Sequence, residues 1–131
     1  MNTQEIHDVF TESQAGSLVF PEVVRRMLAA GVESYFCDFA NAQETFYGVN
    51  GETHIAPMSL KPEPVSAGFS ATGIVAAIRG AQTDSIRYPE FVRQSTAAGV
   101  IAYWAFLIGK KVIYFGRQGE MHVEEFPGHK K

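Results

Sequence analysis

The chain has 131 residues, 46% hydrophobic and 12% aromatic, which excludes disorder and supplies enough apolar surface for one buried core. Its formal net charge of −3 is unevenly placed: residues 1–63 carry nine acids and three bases (−6), residues 64–131 five acids and eight bases (+3). The bases of the second half (Arg79, Arg87, Arg93, Lys110, Lys111, Arg117, Lys130 and Lys131) are scattered, so the basic stripe that nucleic-acid binding needs is not expected.

In chain order, Ile6, Val9 and Phe10 stand at helical spacing behind Thr3, which reads as an N-cap. Phe20-Pro21-Glu22 opens a second helix, because proline lacks the N–H that the first helical turn leaves unpaired; Gly31 closes it. The period then changes. Val32 to Phe39, Glu44 to Val49 and Glu52 to Ile55 read as three strands, with Asn50-Gly51 as a two-residue hairpin turn. Residues 57–68, with Pro57, Pro62 and Pro64, read as an extended connector. Thr72 then precedes Ile74, Val75 and Ile78, and Pro89 opens a helix that Gly99 closes. Val100 to Ile108, Val112 to Phe115 and Met121 to Phe126 are the remaining strands, joined at Gly109-Lys110 and Gln118-Gly119.

This order is written twice. At an offset of 68 residues with no gap, sixteen positions are identical, among them Pro21/Pro89, Gly31/Gly99, Tyr35/Tyr103, Glu52/Glu120 and His54/His122. Chance at ordinary usage would give only ~4. The predicted fold is therefore α+β: a tandem duplication of an α-α-β-β-β unit, with repeat 1 at 1–56, the connector at 57–68 and repeat 2 at 69–131. The two repeats are expected to share one core within a single domain, 1–131, about a pseudo-twofold axis. The first strand of repeat 2 is apolar on both faces, whereas repeat 1 has Glu33, Ser34 and Asp38 there, so the second meander is expected to be the more deeply buried.

The stretch from Tyr88 to Pro127, YPEFVRQSTAAGVIAYWAFLIGKKVIYFGRQGEMHVEEFP, resembles a bacterial domain-of-unknown-function family, the YdfO-like or YbcV-like proteins, some of which carry the label phage envelope protein. The similarity extends over nearly the whole chain and is most specific in this half. It implies a duplicated α-α-β-β-β fold and brings with it no biochemical activity or catalytic residue.

The residues that invite chemistry are the paired Glu-x-His elements, Glu52/His54 and Glu120/His122. In a strand each Glu and its His share a face, and the carboxylate would fix the imidazole's tautomer or raise its pKa. Thr53, Ile55, Met121 and Val123 then point to the core. Were the two elements to converge, they would offer two imidazoles and two carboxylates to a divalent metal or to acid–base work. The plainer reading is polar decoration with partly exposed histidines, and no metal, cofactor or catalytic residue is expected. Tyr35 and Tyr103, with Phe36, Trp104, Tyr114 and Phe115, either line an aromatic pocket or fill the core. Cys37, the single cysteine, excludes an internal disulfide and a Cys-rich metal cage, and reads as an inert core residue.

The residues after Met1 are polar, with no apolar signal-like run, and the longest apolar run, Val100 to Ile108, is far short of a membrane span. The expectation is a cytoplasmic, non-enzymatic binding or interaction module, phage-related by its resemblance, with an unknown protein or small molecule as partner. Neither nucleic acid nor membrane is expected as a partner, and a homodimer is compatible with such a module. The alternative is a small-ligand- or metal-binding protein, or a minor enzyme, with a site between the repeats. A close approach of His54 and His122 beside a concave pocket would favour that alternative.

Overall fold

The computed structural model describes residues 1–127; Lys130 and Lys131, counted in the basic surplus above, lie outside them. The elements are α1 (Thr3–Gln14), α2 (Phe20–Ala29), β1 (Val32–Asp38), β2 (Gln43–Gly48), β3 (Thr53–Pro57), α3 (Ala71–Gln82), α4 (Tyr88–Ala97), β4 (Val100–Phe106), β5 (Lys111–Gly116) and β6 (Met121–Glu125). Four helices thus accompany one six-stranded antiparallel sheet, ordered β3-β2-β1-β4-β5-β6. The fold is α+β.

Local chemistry sets the helix ends. The Asn2 side chain accepts the Glu5 N–H at 3.1 Å, so Asn2 and not Thr3 caps α1. Ser70 caps α3 in the same way through the Gly73 N–H at 3.0 Å. Pro21 and Pro89 sit in the first turns of α2 and α4. These helices stop at glycines in the left-handed region, Gly31 at φ +91° and Gly99 at +93°. A Cβ on Gly99 would also lie 2.2 Å from the Gly68 carbonyl oxygen of the connector. Gly99→Ala is expected to destabilise the protein by ~1–3 kcal/mol from the backbone conformation alone, with the clash adding to it. Chemical unfolding checks this, and an unchanged midpoint would contradict it.

Two turn readings change. Between β2 and β3, and again between β5 and β6, only the glycine (Gly51, Gly119) has positive φ, so neither is a two-residue turn of the primed kind. The loops are wider: the Gly48 N–H donates to the Glu52 carbonyl and the Gly116 N–H to the Glu120 carbonyl, both at 2.8 Å. Pro57, assigned to the connector by sequence, ends β3. It is tolerated because β3 is an edge strand.

All helices contribute to one buried cluster with one face of the sheet. Tyr35, Cys37, Phe46, Tyr103, Ala105, Val112 and Tyr114 meet Ile6, Val9, Phe10, Met27, Ile74, Phe91 and Val92 there. The expected difference in depth between the two meanders is not found: β2 and β5 have the same alternation of burial, as do β3 and β6, and β1 and β4 lie side by side at the centre. Trp104 and Phe106 are half-buried on the other face, as is Phe36. The doubly apolar β4 is a central strand, but only one of its faces lies under the helices; the second face is apolar and uncovered by them.

Candidate functional site

The Glu-x-His elements do not meet. β3 and β6 are opposite edges of the sheet, so five strand spacings of ~4.8 Å put His54 and His122 on the order of 24 Å apart. Their face is also opposite to expectation. His54 pairs across from Phe46 and His122 across from Tyr114, both buried, with ring centroids 6.4 and 6.3 Å apart. Ile55, Met121 and Val123 are the exposed side, at 58, 61 and 47%. Polarity misassigned the face because the sheet's open side is the apolar one.

Each carboxylate of these elements secures its own turn. Glu52 accepts the Asn50 N–H at 3.1 Å and Glu120 the Gln118 N–H at 2.9 Å. Glu52 is further held below the usual carboxylate range by a hydrogen bond from the Met1 α-amino group at 2.7 Å. His122 instead approaches Glu124 at 3.4 Å, and Glu124 binds Arg79 at 2.9 Å. Among the described residues, no group of three or more His, Cys, Asp or Glu side chains is placed to hold a metal ion.

What the structure does bring together is a polar cluster under the helices. On the helix-facing side the register runs Glu44, Cys37, Tyr103, Tyr114 across β2, β1, β4 and β5. Tyr88, at the start of α4, reaches down to it. Its hydroxyl donates to Glu44 Oε2 at 3.0 Å, exchanges a hydrogen bond with the Tyr103 hydroxyl at 2.8 Å, and lies 3.5 Å from Cys37 Sγ. Having one hydrogen to give, it gives it to the carboxylate and accepts from Tyr103. Tyr35 and Tyr103 meet edge to face at 6.2 Å. The two tyrosines singled out by sequence are thus neighbours, and one of them belongs to the cluster.

The electrostatics follow from burial. Desolvation raises the Glu44 carboxyl to about 7, although the hydrogen bonds from Tyr88 and Cys37 pull the other way. Burial pushes the Cys37 thiol well up, with the Glu44 charge adding to it, so the thiolate of a nucleophile is disfavoured here. Tyr35, Tyr88 and Tyr103 are raised by burial as well.

Beside this cluster lies a cavity of about 100 Å³ between the helices and the sheet. Glu44, Tyr88 and Tyr103 belong to its lining, Phe20, Val23, Val112, Tyr114 and Phe126 make much of it apolar, and Ser13, Gln82, Arg87, Glu124 and Glu125 also line it. Glu44 and Tyr88 were not singled out by sequence. The available signal was the 68-residue offset, which sets Glu44 against Val112, Tyr88 against Phe20 and Cys37 against Ala105. Three of the four cluster residues thus stand against apolar ones at this offset, and the fourth, Tyr103, against Tyr35.

Residues 20–125 match the family described as a protein of unknown function (DUF1398). The chain belongs to this family. The match includes Tyr35, Cys37, Glu44, Tyr88 and Tyr103, so the whole cluster and most of the cavity wall lie within the family domain. Among curated proteins, none matches the chain. Among the described residues, no helix is long and apolar enough to cross a membrane.

Proposed function

We propose that this chain is a non-enzymatic small-molecule-binding protein whose ligand enters the cavity between the helices and the sheet. In this reading two copies of an α-α-β-β-β unit, 1–56 and 69–131, share one core in a single domain. The second copy supplies Tyr88 and Tyr103 opposite Glu44 of the first. The carrying observation is a buried carboxyl in the lining of a mostly apolar cavity, apart from the more exposed Arg87, Glu124 and Glu125 that also line it. Burying it costs stability above neutral pH, and valine fills the matching position 112. Such a group is the mark of a binding or reacting site more than of a packed core.

The cavity is somewhat smaller than the ~150 Å³ that accepts benzene, so it suits a small ring or short alkyl group with one polar substituent. Glu44 with two phenols around it favours an amine as that substituent. A protonated amine binds the carboxylate form, so affinity should rise as Glu44 ionises. Between pH 6 and 8 the ionised fraction of a group at about 7 grows roughly tenfold. Calorimetric titration with n-propylamine should show that increase, n-propanol should not, and Glu44→Gln should abolish it. Failure of both probes to bind at millimolar concentration would sink the proposal, as would the same pH dependence in the variant.

A carboxyl titrating near 7 also suits proton transfer to a bound substrate. That second reading would be favoured by turnover of a bound ligand that is lost in Glu44→Gln.

A further inference from the structure

The uncovered face of the sheet carries three rows of side chains. From β3 to β6 the middle row reads Ile55, Thr45, Phe36, Trp104, Ile113, Val123, following the cross-strand register. It contains no charge. The flanking rows add Tyr47 and Phe106 on one side and Phe115 and Met121 on the other; the charges Asp38, Lys111 and Glu125 stand in these outer rows, and Glu33 is exposed at the bulge beside Ser34. At the centre Trp104 packs on Phe36, Tyr47 and Phe106 with ring centroids 5.2, 5.6 and 5.3 Å away. These aromatics are half-buried.

We propose that this face is covered by the same face of a second copy, giving a homodimer in which two sheets pack as a sandwich with the helices outside. Two observations select a second copy as the occupant. The first is area: six strands at ~4.8 Å and about six residues at ~3.3 Å make a face of roughly 600 Å² before side-chain relief, near the ~800 Å² per partner of a standard interface. A smaller occupant, such as a single strand or helix, would leave most of it wet. The second is self-complementarity. A twofold axis lying between the sheets, along the strands or across them, sets the middle row on the middle row, apolar against apolar, and keeps the charges in the outer rows. Face-to-face sheets pack ~10 Å apart with interdigitated side chains, which rings of this size fill. The cavity bounded by Glu44 and Tyr88 opens on the opposite side of the sheet, so the dimer does not depend on the ligand reading.

Sedimentation equilibrium on the full chain tests this. The wild type should give about twice the 14.4 kDa chain mass at micromolar concentration. Ile55→Lys/Val123→Lys changes two exposed positions, so a folded variant is expected, with a circular dichroism spectrum like the wild type's. Its dimer dissociation constant should be weaker by 100-fold or more. Val49→Lys, an equally exposed apolar position in the β2–β3 loop, should leave the dimer unchanged. The emission of Trp104, the single tryptophan, should shift to the red on dissociation. A wild type monomeric at 100 µM would overturn the proposal. So would a dimer that survives the double substitution, which would place the contact at a sheet edge. Binding of a monomeric wild type to phosphatidylcholine or phosphatidylglycerol vesicles, lost in the double variant, would assign the face to lipid and overturn it equally.

Discussion

At pH 8, Glu44→Gln is expected to be more stable than the wild type by about 3 kcal/mol, and near pH 4 the two should be equal. The carboxyl titrates at about 7 in the folded protein against a reference of 4.5, and each unit of difference is worth ~1.4 kcal/mol. Below the lower value Glu44 is protonated in both states and burial costs no charge. As pH rises through 4.5 the unfolded chain releases a proton that the folded chain retains, so wild-type stability declines, until both states are ionised above about 7. Glutamine keeps the acceptor for the Tyr88 hydroxyl and never ionises. Carboxylates held low by partners, such as Glu90 beside Arg93 at about 2, act at more acid pH and cancel in the comparison. Urea unfolding of both proteins at pH 4, 6 and 8 provides the measurement. A difference that stays constant over this range would refute the assignment of a buried, neutral Glu44.

Phe46→Ala should cost ~3–5 kcal/mol, the range for deleting a fully buried aromatic side chain. Phe46 has no exposed surface and fixes three elements at once. Its ring meets Phe10 of α1 edge to face at 5.9 Å, Tyr35 of β1 at 5.7 Å and His54 of β3 at 6.4 Å. In a close-packed core the neighbours relax only in part, so a cavity remains. Ile55→Ala, one residue beyond His54 on the same strand but on the open face, should cost less than ~1 kcal/mol in the monomer. Equal losses at the two positions, measured on the monomer by denaturant unfolding, would contradict the assignment of faces.

That assignment marks the boundary between what the amino acids alone determine and what requires the assembled chain. The ends of α2 and α4 were legible, because Pro21, Gly31, Pro89 and Gly99 act through their own backbone torsions. So were the strands and the α+β class, since periodicity is a property of the linear chain. Which side of β3 and β6 faces the helices was not. A strand's alternation defines two faces but cannot name the inner one, and here the usual sign of polarity was reversed by an apolar outer surface. The destination of His54 and His122 was equally hidden, because sheet order is a long-range choice, and β3 and β6 became opposite edges only when β1 paired with β4. Glu44 looked like any strand acid. Its neighbours, Cys37, Tyr88 and Tyr103, lie 7, 44 and 59 residues away in sequence, and only the packing of α4 over the centre of the sheet removes water from that carboxyl and makes it a site.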